Sequence, residues 1–141
     1  MIGLTALPLE VTEPVTAATT PGCGGLGVFV GVVRESPSVE ANSGRSVVAL
    51  EYEAHESGAE HRLAEIAVEA RDRWSLLAVS AVHRTGRCEL GEPTVVVACG
   101  AAHRAEALEA CRWVIDTIKA TVPIWKREIY ADGSDWVGTG S

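Results

Sequence analysis

The chain has 141 residues, 47% of them apolar and 22% charged, which suits a single globular domain able to bury most of its apolar surface. Its net charge of −7 speaks against sequence-independent nucleic-acid binding, since that role needs a basic face. Any local cluster of cations stands out against this background.

From the start, Leu4 to Val11 suits a first short strand, and Thr12 to Gly27, rich in Thr, Pro, Ala and Gly, reads as a loop with at most one weak helical turn. Gly27 to Arg34, GVFVGVVR, reads as a strand. Its internal Gly31 marks a bulge or a close backbone approach. Glu35 to Arg45 is polar and turn-rich, so a mobile loop is expected there. Ser46 to Glu53 is the next strand, with Leu50 and Tyr52 alternating against a wet face of Glu51 and Glu53.

Helical spacing follows. Ala59, Leu63, Ile66, Ala67, Ala70 and Trp74 share one face of a helix. Leu76 to His83 is a strand, Arg84 to Pro93 a turn-rich connection, and Thr94 to Cys99 a short buried strand. A second helix runs from about Ala102 to Ala120, with Leu108, Cys111, Ile115 and Ile118 as its seam. Ile124 to Tyr130 is the last predicted strand, and residues 131–141 form a loose tail with Trp136 as an anchor. From Gly27 onward the order β-β-α-β-β-α-β lacks strict alternation, which favours an α+β fold with a mainly antiparallel sheet and two main helices. No internal repeat or second domain is visible, so residues 1–141 read as one domain whose N-terminal segment, 1–26, is variable.

The four cysteines, Cys23, Cys88, Cys99 and Cys111, form no C-x-x-C, and no histidine lies at zinc-finger spacing from a pair. No metal ligand set and no cofactor is implied. The first residues resemble no secretory leader, and no window of eighteen apolar residues exists. The cytoplasm is the expected location, with neither membrane nor nucleic acid as a partner.

The chemistry concentrates in Lys119 to Glu128, KATVPIWKRE. This stretch holds both lysines of the chain, Lys119 and Lys126, whereas nine of the ten arginines are spread elsewhere. Arginine stays protonated, but a lysine can be tuned to release its proton. Pro123 lies between them and pushes its predecessor out of helical geometry. Lys119 should therefore close a helix and Lys126 open a strand, with both side chains reaching one pocket. On spacing alone, two solvated surface lysines are the plainer reading.

His103 and Arg104 open the second helix, where unpaired N–H groups and a partial positive charge suit an anion. The alternative is a polar near-cap residue beside a solvated one. Lys119 lies about 22–24 Å away along the same helix, at 1.5 Å per residue. One subunit therefore cannot easily bring both ends to one atom. Arg34, at the lip of the polar loop, and Arg127, beside Lys126, complete the substrate-binding candidates. Glu128 shares a strand face with Lys126 and is placed to orient it or Arg127. His55, His61 and His83 have no ligand-like spacing.

Taken together, GVFVGVVR, LEYEAH, EARDRW, VHRTG and AAHRAEALEACRWVIDTIKATVPIWKRE resemble the large, catalytic subunit of molybdopterin synthase. The similarity runs from about Gly27 to Trp136. Its most specific part is A-H-R followed fifteen residues on by K-x-x-x-P-x-W-K-R-E. The resemblance implies an α+β fold with a hammerhead-like element and a homodimer of large subunits within a heterotetramer. A ubiquitin-like small subunit at each end would present a Gly-Gly tail bearing a C-terminal thiocarboxylate. The implied substrate is cyclic pyranopterin monophosphate (precursor Z), which receives two sulfurs to form the molybdopterin dithiolene in molybdenum cofactor biosynthesis. By position, Lys119 and Lys126 match the family's catalytic lysines. Arg34, His103 and Arg104 match positions that hold the pterin phosphate, shared across the dimer. The glycine-rich segment before Gly27 and the connection RCELGEP depart from the family's pattern. The competing readings are a non-catalytic docking module for a ubiquitin-like sulfur carrier and an unrelated binder of small phosphates.

Overall fold

The structure, a computed structural model, describes residues 1–139. The strands are β1 (Ile2–Thr5), β2 (Gly25–Val32), β3 (Val47–Ala54), β4 (Ala78–Arg84), β5 (Gly86–Glu89), β6 (Pro93–Ala101), β7 (Ile124–Tyr130) and β8 (Asp135–Thr139). The helices are α1 (Thr12–Ala17), α2 (Glu56–Trp74) and α3 (Arg104–Thr121), and a 3₁₀ turn spans Glu40–Asn42. Two four-stranded sheets result, in the orders β1-β4-β6-β2 and β5-β3-β7-β8. Only the β1–β4 pairing is parallel. The α+β fold with two main helices and mainly antiparallel pairing is the one expected.

The first sheet is built around β6, whose TVVVACGA run is buried throughout. A strand flanked on both sides by others and covered by helices needs no polar face. Its neighbour β2 comes so close to α3 that a Cβ at Gly27 would lie 2.2 Å from the Ala107 carbonyl oxygen. The register of β2 against β6 shifts between Gly31 and Val32, the bulge that the internal glycine signalled. One apolar cluster joins both sheets, from Val97 and Cys99 of β6, through Leu63, Ile66, Ile115 and Ile118 of the helices, to Leu50 and Tyr52 of β3.

Helix α2 starts where the His55 ring nitrogen Nδ1 accepts the Gly58 N–H at 3.1 Å, and ends on Ser75 in the left-handed region. Its buried side is the expected Ala59, Leu63, Ile66, Ala67 and Ala70. Helix α3 buries Ala107, Ala110, Cys111, Val114, Ile115 and Ile118. Leu108, placed by sequence on this seam, is instead 59% exposed. It lies one residue, about 100° of helical turn, beyond Ala107.

Four expectations change at the ends and connections. The first strand is Ile2–Thr5, and Val11 caps the six-residue α1 instead of closing that strand. The Arg84–Pro93 connection contains β5, an edge strand on β3. The tail is not loose through residue 139: β8 pairs with β7, and Trp136 packs against the core. Residues 140–141 of that expectation lie outside the described residues. The Glu35–Arg45 segment is tied down, with the Val47 N–H bonded to the Glu35 carbonyl and Asn42 bonded to Tyr130.

Candidate active site

Helix α3 ends with Lys119 in its last turn, where a cation also complements the helix dipole. The chain becomes extended at Val122, passes Pro123, and returns as β7. Alternation along β7 then sorts its side chains by parity. Lys126, Glu128 and Tyr130 turn inward, and Glu128 and Tyr130 are buried. Arg127 faces the other way.

The inward side opens on a cavity of about 370 Å³ where the two sheets meet. Phe29 to Val32 of β2 line one wall and Leu50 and Tyr52 of β3 another, with Thr94 and Val95 of β6 behind. Arg34 and Ser38 enter from the segment after β2, Lys119 from α3, and Lys126 and Glu128 from β7. At Gly31 a Cβ would lie 2.8 Å from the Val95 side chain and 3.0 Å from that of Thr94, so any larger residue there would have to displace them.

Three of the six candidate residues, Arg34, Lys119 and Lys126, thus face one hollow. Lys119 stands exposed at the rim of the hollow; partial desolvation there is the main influence lowering its pKa, and Arg34 adds to it while Asp116 opposes it. Lys126 is lowered too, again chiefly by burial, with Glu128 opposing and Lys119 and Arg34 contributing. The Lys126 Nζ donates to the Ser38 hydroxyl at 2.7 Å. Tyr52, 4% exposed, has its phenol raised to about 12 by burial and stays protonated. Such a pocket attracts anions, and its lysines are closer to releasing a proton than lysines in water.

The other three candidates lie elsewhere. Arg127 donates to Glu51 at 2.6 Å and lies 3.6 Å from Asp135, on the face of β7 away from this cavity. Residue parity decides this, because the neighbour of an inward residue points outward. His103 and Arg104 lie in a separate hollow of about 430 Å³ with Gly24, Ala102 and Ala105, at the opposite end of α3. The length of the helix keeps them from the lysines within one chain.

Two residues near the lysines carried no signal in the sequence. Ser38 lay in a segment read only as loop, and its partner Glu128 is 90 positions away. His83 is fully buried, with Nδ1 2.7 Å from the Arg84 carbonyl oxygen and its ring edge-on to Tyr52 at 4.9 Å. Burial lowers its pKa to about 4, helped by the Lys119 charge and opposed by the Arg84 hydrogen bond, so it is neutral at pH 7. Among the described residues, no group of three or more His, Cys, Asp or Glu side chains is placed to hold a metal ion. No described helix is long and apolar enough to cross a membrane.

The family model described as MoaE protein matches residues 4–121, which take in both ends of α3 and Lys119. The chain belongs to the MoaE family. The human molybdopterin synthase catalytic subunit is 38% identical over 138 residues, covering 98% of this chain and 71% of the human one. A Staphylococcus aureus molybdopterin synthase structure superposes with a TM-score of 0.88 at 31% identity, covering 97% of this chain and 96% of that one. A Helicobacter pylori structure, titled a complex of subunits 1 and 2 of molybdopterin-converting factor, shares the fold at 22% identity. Its TM-score is 0.73, and the match covers 93% of this chain and 86% of that one. As a MoaE protein the chain is an enzyme, a sulfurtransferase serving as catalytic subunit in molybdenum cofactor biosynthesis.

Proposed function

We propose that the cavity between Arg34, Lys119 and Lys126 is where sulfur passes from a C-terminal thiocarboxylate of a ubiquitin-like small subunit to cyclic pyranopterin monophosphate. The observation that carries this reading is the gathering of three cations in one hollow of a chain whose net charge is −7. Thiocarboxylate and phosphate are both anions. Two unit charges 4 Å apart repel by about 4 kcal/mol at an effective dielectric near 20. Fixed cations in a partly dry site cancel that repulsion before the reactants meet. The Helicobacter pylori structure, a complex of two subunits of the converting factor, supports a two-subunit assembly here.

Sulfur attack on a carbon of the pterin side chain also requires protons to move off and onto oxygen. Arginine cannot supply that exchange, but a lysine with a lowered pKa can. Lys119 is assigned the proton transfer and Lys126 the electrostatic role. His103 and Arg104 remain phosphate ligands in this reading, contributed by a second large subunit because one chain's α3 separates them from its own lysines. The missing side chain at Gly31 leaves a gap in the β2 wall beside Thr94 and Val95, which suits a narrow, extended tail such as diglycine.

The test is reconstitution. The purified chain is mixed with a thiocarboxylated ubiquitin-like carrier and cyclic pyranopterin monophosphate, and molybdopterin is assayed. Formation of the dithiolene only when all three are present supports the reading. Carrier binding without turnover would show a docking module instead.

A further inference from the structure

Ser38 belongs to the polar segment between β2 and β3, yet its bonds all reach β7. Its N–H donates to both carboxylate oxygens of Glu128 at 3.1 Å, and its hydroxyl donates to Oε2 at 2.7 Å. The Glu128 side is closed off, since that residue is 3% exposed and its Oε1 accepts the Tyr130 hydroxyl at 3.0 Å. Tyr130 is itself held by an N–H of Asn42 at 3.0 Å, so the carboxylate cannot swing away without dragging the loop.

These bonds fix a direction. A hydroxyl has one proton, and that of Ser38 is committed to Glu128. Toward Lys126 it therefore presents lone pairs only. An ammonium has protons and no lone pair, so the 2.7 Å contact runs from Nζ to Oγ. A hydroxyl polarised by a carboxylate is a stronger acceptor than a free one.

We propose that Ser38 is a positioning residue for Lys126: its hydroxyl, oriented by buried Glu128, fixes the ammonium at the cavity wall and keeps it protonated. This rests on the reading that Lys126 supplies charge to the sulfur transfer. The groups facing Lys126 make such a device necessary. Burial weighs most against its charge, and Lys119 from α3 and Arg34 from the segment after β2 add to it by repulsion. Tyr52, its register partner on β3, is a neutral phenol and offers no counter-charge. Glu128 is the countering anion, and the Ser38 hydroxyl bridges the two groups. The same bridge couples the Glu35–Arg45 segment to the site, because lifting that segment removes the acceptor.

The chain's two lysines make a direct test available. Protein labelled with ¹³C at lysine Cε shows two side-chain signals, assigned with Lys126→Arg, and each is titrated without substrates. In Ser38→Ala the Lys126 midpoint is expected to fall by about one pH unit, the scale of one lost charge-assisted hydrogen bond. The Lys119 midpoint moves less. Ser38→Thr restores the hydroxyl and the Lys126 midpoint. Ser38 is exposed and its N–H bonds survive the alanine change, so this variant retains its fold. In the reconstituted reaction, the alkaline limb of the rate moves to lower pH in Ser38→Ala and returns in Ser38→Thr. An unmoved Lys126 midpoint in Ser38→Ala, or an equal shift in Ser38→Thr, overturns the proposal. Lys126 midpoints that move as expected in the variants, while the wild-type chain makes no molybdopterin, overturn the sulfur-transfer reading alone.

Discussion

Arg34 and Lys119 approach the same cavity from two elements that are far apart in the chain, and the guanidinium adds to burial in lowering the lysine's pKa. Removing that guanidinium makes it easier for the amine to hold its proton. Arg34→Ala is therefore expected to raise the Lys119 midpoint. If neutral Lys119 moves the proton, the ascending limb of the pH–rate profile shifts to higher pH by the same amount, and the rate at neutral pH drops. Titration of labelled lysine beside the pH–rate profile checks both parts. A midpoint that stays put would show that burial alone sets the lysine.

His83 makes a prediction about stability that is independent of catalysis. Its pKa is about 4 in the fold against 6.5 in the unfolded chain. The unfolded chain therefore binds more protons between those values, and stability falls as pH drops through that window, levelling off below it. At 1.36 kcal/mol per unit the full loss is about 3 kcal/mol. Urea unfolding at pH 7.5, 6 and 4.5 should show it as a falling midpoint. In His83→Gln, which removes the titration, the slope over this range should flatten. Parallel slopes in the two proteins would show that carboxylates, not His83, set the acid sensitivity.

Gly27→Ala probes the contact between β2 and α3. The added methyl would meet the Ala107 carbonyl oxygen at 2.2 Å and the Cys111 Cβ at 2.9 Å, and backbone cannot move aside as a side chain can. Overpacking of this kind costs about 1–3 kcal/mol or more. Chemical denaturation should show that loss with the far-ultraviolet circular dichroism of the folded state unchanged.

The same residues show what the sequence could and could not carry. The TVVVAC run, the α2 stripe and the proline between the lysines each act through neighbours a few positions away, so their consequences were visible in one dimension. Gly31 could be read for the same reason, since a side chain missing from a strand is itself the signal. Strand β8 could not, because DWVGT is an edge strand paired on one side only, and its composition matches that of a turn. Arg127 sits beside a candidate lysine in the sequence, but strand parity turns the two to opposite faces of β7. Ser38 and His83 depend on partners that only tertiary folding supplies. A serine in a polar loop looks the same whether or not a buried carboxylate lies 90 positions away.

The separation of His103 and Arg104 from the lysines predicts a divided phenotype. Arg104→Ala should weaken binding of cyclic pyranopterin monophosphate, by about 1.5–3 kcal/mol for one charged hydrogen-bond partner. Carrier affinity should hardly change. Calorimetry with each partner in turn distinguishes the effects. Mixed dimers add a sharper check. If the phosphate ligands come from the second subunit, a Lys119→Ala chain and an Arg104→Ala chain co-assembled should recover part of the activity each lacks alone. No recovery would place both residues in the service of one chain's own site.

Lys119→Ala removes both the charge and the exchangeable proton, so sulfur transfer should be lost while carrier binding survives. That result alone cannot separate the two roles. Lys119→Arg can, because a guanidinium keeps the charge but does not release a proton at any accessible pH. General acid–base catalysis contributes on the order of 10²–10⁴ in rate. If Lys119 moves the proton, the arginine variant should be slowed by at least that much. Single-turnover formation of molybdopterin from preassembled carrier complex makes the comparison free of binding differences. An arginine variant within tenfold of wild type would assign Lys119 to charge neutralisation alone. The lowered pKa would then be a by-product of burial and of the Arg34 guanidinium across the cavity.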